Sequence, residues 1–552
     1  MTVTDKTTQY IDMYKSNKKV LYFLLVIVLL TAGFNFEVFA KSLQDVARDG
    51  YFEAPSTKTE KEPDISTGTG EKSRISKENS KEVDLSIKST IISGKLIEII
   101  TETELNSEKI ESDDVIYVIA TKDFGLVRVQ LKDKEIKNYL NYNIEVKGYF
   151  EANGDFLIED ILSFNIDSPT PIIRSEVEVL NRAGHPVKVE TLGPPPTTNG
   201  HKILFILANF TNDTSQPVSV SQIRDTLYNN SNSSNSFFLF SSKQRFWLSG
   251  LQRPDFDIVN WVTLPRTNEN CSQNYFSTWT NDAEAIARSQ GFEPLNYDSV
   301  TLIFPKPQDC NLGAFATVGQ PGVTNDKNKV WIIYGPSIGI NTNFSSIFTH
   351  ELGHNLGLLH SNVVKNCQPG SNIFPQGCED YEYGDLFSPM GGTPPLSRNF
   401  NNLHLYQLGW FSSTGKVAIV PEQGTYNLTL MSPAFSTKRY QLVTFPLKNS
   451  DGSLTGQSAY LEFRRQILPF ENFIGGQFNK NANYGISLRF GSTDTINPAK
   501  SYLFDSHEGT WWFDDAAIEV GETYQNQTYG FSIRTNSTNP TLGANFTLQL
   551  SR

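Results

Sequence analysis

Cysteine is scarce in this chain. There are 4 among 552 residues, and none precedes Cys271. That density excludes a small disulfide-scaffolded fold. Basic residues are outnumbered, with 47 Lys and Arg against 59 Asp and Glu and a formal net charge of -12. No aromatic-basic patch offsets this balance, which argues against nucleic acid as a partner. Long hydrophobic runs are missing after the N-terminus. The run from Val20 to Phe34 is itself short of the roughly 20 residues a membrane span needs, so no stable membrane association is expected. Residues 53–86 contain no aromatic side chain and are rich in Lys, Glu, Ser and Thr, a composition that cannot bury a core.

The rest of the chain is richer. It is 38% hydrophobic and 12% aromatic, and its length suits roughly three to four domains. Lys15, Lys18 and Lys19 precede the first apolar run, and Val38-Phe39-Ala40 precedes Lys41. This pattern predicts a signal peptide over residues 1–40 and a secreted, extracellular protein; the alternative is an uncleaved type II signal anchor. Secretion agrees with Asn-x-Ser/Thr sequons at Asn209, Asn212, Asn229, Asn232, Asn343, Asn427, Asn526, Asn536 and Asn545, which make the chain a candidate glycoprotein. It also permits disulfide bonds. Cys271 with Cys310 and Cys367 with Cys378 would close two local loops, and two other connectivities are equally open.

Residues 41–86 are expected as a disordered linker. Residues 87–166 carry about five short strands with turn signals such as Asn153-Gly154-Asp155, which fits a small OB-like Greek-key barrel serving as a propeptide region. A second linker is expected at 167–200, ending in Pro194-Pro195-Pro196, with Arg174 and Arg182 as candidate activation sites. Apolar strands at 202–208, 300–304 and 330–334 alternate with helical segments near 218–227 and 283–290, which predicts an α/β catalytic domain with a mixed sheet over 201–411. Residues 412–552 are strand-rich and fit a C-terminal β-sandwich without a catalytic constellation of its own.

The chain has only 7 His, and three of them lie in His350-Glu351-Leu352-Gly353-His354-Asn355-Leu356-Gly357-Leu358-Leu359-His360. This is H-E-x-x-H-x-x-G-x-x-H, a long zinc signature. Residues four apart share a helix face, so His350 and His354 can address one metal. Gly357 can end the helix in a left-handed turn that brings His360 round as a third ligand. Three protein ligands leave a coordination position for water, the catalytic pattern for zinc, and Glu351 is placed to act as general base. Ile347, Phe348, Leu352 and Leu356 are the expected core face of this helix.

The signature, together with Met390 in Ser388-Pro389-Met390-Gly391-Gly392, resembles the metzincin clan of zinc metallopeptidases with its Met-turn. Within that clan the chain is most similar to the gametolysin (autolysin) family. The similarity lies in His350 to Ser361, Tyr383 to Gly391, and Leu403 to Trp410, with fainter echoes in Lys202 to Phe210 and Tyr297 to Ala316. It spans residues 200–550. It implies a secreted zinc endopeptidase, made as a zymogen, that hydrolyses peptide bonds of extracellular or cell-wall proteins. It makes His350, His354 and His360 the zinc ligands and Glu351 the base. It puts Met390, which follows His360 by 390 − 360 = 30 positions, beneath the metal. A peptide substrate is expected along an exposed strand edge, with Gly313 to Gly319 as the candidate. Two features depart from relatives. No upstream Cys can occupy the zinc, and Gly392 stands where some relatives carry a Tyr. The rival expectation is a non-enzymatic adhesion or matrix-binding protein with a vestigial protease domain.

Overall fold

The computed structural model describes the chain from Ser89 to Arg552 outside a set of stretches, the longest being 104–114, 131–141, 368–376 and 472–481. The expected signal peptide (1–40) and first linker (41–86) lie outside the described residues, as do Arg182 and Cys271. The described residues are mostly β-sheet with few helices. None of their helices is long and apolar enough to cross a membrane.

Five strands form a closed ring: β1 (Thr90–Thr103), β2 (Val115–Thr121), β3 (Gly125–Gln130), β4 (Tyr142–Phe150) and β5 (Phe156–Ile166). The circuit runs β1-β2-β3-β5-β4 and returns to β1. Alternate residues point inward, as strand geometry requires, and Leu96, Ile119, Val127, Ile144, Val146 and Phe156 make the core.

Residues 167–200 differ from the linker expected there. They contain a hairpin, β6 (Arg174–Leu180) and β7 (Pro186–Leu192), with Arg174 opposite Leu192. Glu176-Val177-Glu178-Val179 and Val187-Lys188-Val189-Glu190 alternate with period two, a strand pattern that the flanking prolines mask. β7 pairs antiparallel with Lys416–Ile419, and Val187 and Val189 enter the C-terminal core.

The central sheet contains β8 (His201–Phe210), the two-residue β9 (Leu248–Ser249) beside it, β10 (Asp257–Leu264), β11 (Ser299–Pro305), β12 (Leu312–Thr317) and β13 (Asn328–Tyr334). Its order is β10-β8-β11-β13-β12; the first four are parallel and β12 is antiparallel. β8 is apolar from Ile203 to Ala208 because both faces are covered. Ile203, Phe205 and Leu207 share a core with Phe348 and Leu352 of the helix Phe344–Asn355. Leu204, Ile206, Ala208 and Phe210 meet Phe276, Trp279 and Ala283 of the helix Gln273–Ser289 on the other face. Asn209 is buried in β8, its side chain bonded to Thr263 and to the Ser215 carbonyl, so this sequon cannot carry a glycan in the folded protein.

β12 is not the exposed edge expected of Gly313 to Gly319. The end of β1 pairs with it antiparallel, Ile99 opposite Thr317 and Ile100 opposite Ala316. The boundary expected at 411/412 is also crossed. β14 (Ser361–Lys365) pairs parallel with Ser501–Phe504, and β15 (Glu379–Tyr381) pairs with β14, so the segment after His360 belongs to the C-terminal sheet. That sheet's strands share one core, which includes Val443, Leu461 and Leu488 with Tyr426, Ile533 and Phe546.

Asn355 locks the signature helix to the central sheet. Its Nδ2 donates to the carbonyls of Thr317 (2.8 Å) and Lys329 (3.0 Å), and its Oδ1 accepts from Ser299 Oγ (2.9 Å). Three strands are thereby tied to one helix end. Asn355→Ala leaves these buried groups without that partner. Chemical denaturation of the full chain should show a loss of about 3 kcal/mol, and an unchanged transition would reject this role.

Candidate metal centre

The helix Phe344–Asn355 carries His350, Glu351 and His354, and all three are buried. It ends as a Schellman motif. Gly357 N–H donates to the His354 carbonyl (2.8 Å) and Leu358 N–H to the Gly353 carbonyl (3.0 Å), with Gly357 at φ +87°. A side chain at Gly357 would also strike Pro321, its Cβ 2.3 Å from the Pro321 nitrogen. The chain therefore turns sharply, and His360 arrives buried beside the other two rings.

The ring centroids lie 4.9 Å (His350–His354), 4.9 Å (His354–His360) and 5.5 Å (His350–His360) apart. One nitrogen from each ring falls within 4.8 Å of the others, a group able to hold a metal ion. The outward nitrogens are engaged. His350 Nδ1 lies 2.6 Å from the Pro389 carbonyl, His354 Nδ1 2.7 Å from the Leu358 carbonyl, and His360 Nδ1 2.9 Å from Glu382 Oε1. Carbonyls and carboxylates only accept, so each Nδ1 donates. A neutral ring then presents an Nε2 lone pair inward, the tautomer that metal-binding histidines adopt. His350 Nε2 and His354 Nε2 are 3.2 Å apart. Two ligands about 2.05 Å from one tetrahedral ion would be separated by about 3.3 Å, so the residues fit a shared cation.

Glu382 links the third histidine to Lys500, whose Nζ is 2.8 Å from the same carboxylate oxygen. Burial raises the Glu382 pKa, but the hydrogen bonds of His360 and Lys500 and the Lys500 charge outweigh it and hold the carboxyl below its ordinary range. Met390 lies under the helix. It is fully buried, and a Cβ on Gly353 would come within 2.4 Å of its sulfur, so only a glycine allows this contact. The Met390 carbonyl accepts from Ser361 N–H at 2.7 Å, joining the turn to the third ligand's neighbour. Tyr383 packs against His360 with ring centroids 4.2 Å apart and planes inclined at 43°, at a positive φ of 58°. Its carbonyl accepts from Gly392 N–H (2.7 Å), so the loop holding Met390 closes on itself.

A buried polar cluster supports this loop. Asp385 Oδ2 accepts from Arg489 Nη1 (2.7 Å) and from Ser361 Oγ (2.5 Å), and Glu462 Oε1 accepts from Arg489 Nε (2.9 Å). Burial alone would raise the Asp385 pKa, yet the Arg489 charge and hydrogen bond lower it overall. Asn401 Nδ2 donates to Ser361 Oγ (3.0 Å) and lies 3.2 Å from His404 Nδ1.

No protein-family model matches this chain, and no curated protein matches it. The structure brings His350, His354 and His360 together, with Glu351 on the helix of the first two, Gly357 at the turn after it and Met390 against Gly353. Sequence reading missed Gly353, Asn355, Glu382, Asp385, Arg489 and Lys500. Gly353 and Asn355 lie inside the signature and could have been questioned. Arg489 and Lys500 carry no local signal; they bring the C-terminal region, which has no catalytic constellation of its own, into the support of the site. Cys367 and Cys378 form a disulfide, and Cys310 is also disulfide-bonded.

Burial, then the Arg489 charge, pushes the His404 imidazole down to about 3. The unfolded chain protonates this histidine near its ordinary value, about 6.5, while the folded chain refuses the proton. The unfolded state thus binds more protons between those values, and stability falls as pH drops through that window. His404→Gln removes this contribution. The stability advantage of wild type over the variant should shrink steadily from pH 6.5 to pH 4 in parallel denaturation series; a constant difference contradicts it.

Proposed function

We propose that the protein is a secreted zinc-dependent endopeptidase of metzincin type, gametolysin-like, with a catalytic unit built on the central sheet and completed through β14 by the C-terminal sheet, and the five-stranded ring at 87–166 as an OB-type propeptide barrel. The observation that carries this reading is the convergence of one ring nitrogen from each of three buried histidines, two of them on the helix that carries Glu351. Imidazole donors in a three-ligand set favour zinc with a position left over, over a closed structural site. The disulfides agree with an extracellular setting.

His350, His354 and His360 would hold the ion. When bound, zinc would polarise the scissile carbonyl and make water more acidic. Glu351, next to the first ligand, takes a proton from the attacking water and passes it to the departing amine. Glu382, the Pro389 carbonyl and the Leu358 carbonyl keep the three rings in the inward-facing tautomer, so none must rotate when metal arrives.

Glu351→Gln should bind zinc with unchanged stoichiometry and lose at least about a hundredfold in casein hydrolysis, the scale of a lost general base. Wild-type cleavage should stop on chelation and return with zinc. Undiminished proteolysis by Glu351→Gln would sink the assignment. A wild-type chain that binds zinc but never cleaves protein would favour the adhesion reading.

A further inference from the structure

We propose that β12 is the strand against which substrate is held, and that β1 occupies it within the same chain, so that the barrel at 87–166 acts as a tethered competitor of substrate. The proposal rests on the peptidase reading above.

The five-stranded part of the central sheet has two edges, β10 and β12. Only β12 borders the metal ligands. Ala314 and Ala316 share the core of Phe348 and Leu352, and Gly319 N–H donates to the His354 carbonyl (2.8 Å) just beyond the strand. An extended peptide laid along β12 therefore runs beside the ligand-bearing turn, and main-chain pairing would hold it with little demand on sequence.

β1 already makes that pairing. Its first half, Thr90 to Lys95, closes the barrel against β4, and Gly94 to Ile100 pairs with β2. The strand then continues along β12, with Ile99 opposite Thr317, Ile100 opposite Ala316, Thr101 opposite Phe315 and Thr103 opposite Leu312. Val318 N–H donates to the Glu98 carbonyl (2.9 Å), extending the ladder. This cover requires no side chain on the metal, which suits a chain with no cysteine before Cys271. A tethered strand also competes at high effective concentration. Because the barrel remains paired to β12 after a cut in residues 167–200, cleavage and release are separate events.

Backbone groups alternate sides along a strand. Since the Glu98 carbonyl faces β12, so does the Ile100 N–H, whereas those of Ile97 and Ile99 face β2. Ile100→Pro thus removes a rung to β12 and spares the β2 ladder.

The test uses the zinc-loaded full chain and two probes. Acetyl-trialanine hydroxamate needs both metal and strand edge; acetohydroxamate needs metal alone. With the extended probe bound to wild type, hydrogen exchange at the Ile100 amide, which faces β12, should accelerate at least tenfold, while that at Ile97 and Ile99, which face β2, should not; with acetohydroxamate none should change. Ile100→Pro should bind the extended probe at least tenfold more tightly than wild type and acetohydroxamate equally well. Unchanged exchange at Ile100 under saturating extended probe overturns the proposal, however the variant behaves, including if it fails to fold. If no form cleaves casein but the exchange pattern appears, the peptidase reading fails while β1 still competes for the edge. Failure of both probes to bind any form removes the open metal position and overturns the proposal with it.

Discussion

The guanidinium of Arg489 is the constraint on which the metal centre depends. It is fully buried between Asp385 and Glu462, and its pKa is raised because their charges and hydrogen bonds outweigh the cost of burial. A buried cation of this kind persists only when its partners are fixed, since removing one leaves an uncompensated charge. Each partner is therefore also an anchor. Asp385 holds the loop that leads to Met390 and bonds Ser361, next to His360. Glu462 accepts from the Asn402 backbone and so fixes the start of the helix Asn402–Gln407. One side chain on a C-terminal strand joins the third ligand, the turn beneath the metal and a supporting helix.

This arrangement explains why the central and C-terminal regions do not separate at residue 411. The chain leaves His360 directly into β14, whose parallel partner is Ser501–Phe504, and Ser501 N–H donates to the His360 carbonyl at 3.1 Å. Lys500 completes the link through Glu382 to the outer nitrogen of His360. Two ligands are positioned by a helix locked to the central sheet through Asn355; the third is positioned by the C-terminal sheet. The geometry of the site thus reports the packing of both.

The N-terminal part of the chain is woven in as firmly. β1 extends the central sheet, and β7 extends the C-terminal one. Both contacts use strand edges, the places where unpaired backbone groups most favour another strand. A segment attached in this way gains from the hydrogen bonds that an uncovered edge would otherwise leave to water.

Much of the site was legible because its spacing is local. Four residues set two histidines on one helix face, and a glycine three positions later permits one specific turn. Short runs between turn signals likewise revealed the five strands of the barrel, and continuous apolar runs those of the central sheet. The hairpin at Arg174–Leu180 and Pro186–Leu192 was hidden because prolines and charges obscured its alternation. What no local pattern could reveal was pairing across distance. Arg489 lies 104 positions from Asp385, and β1 lies some two hundred residues before β12. The sequence by itself determined which atoms can bind a metal, since ligand chemistry and helical period are properties of neighbours. Only the tertiary structure decided what holds the third ligand and what covers the strand edge beside it, because buried charge pairs and strand edges find partners through space.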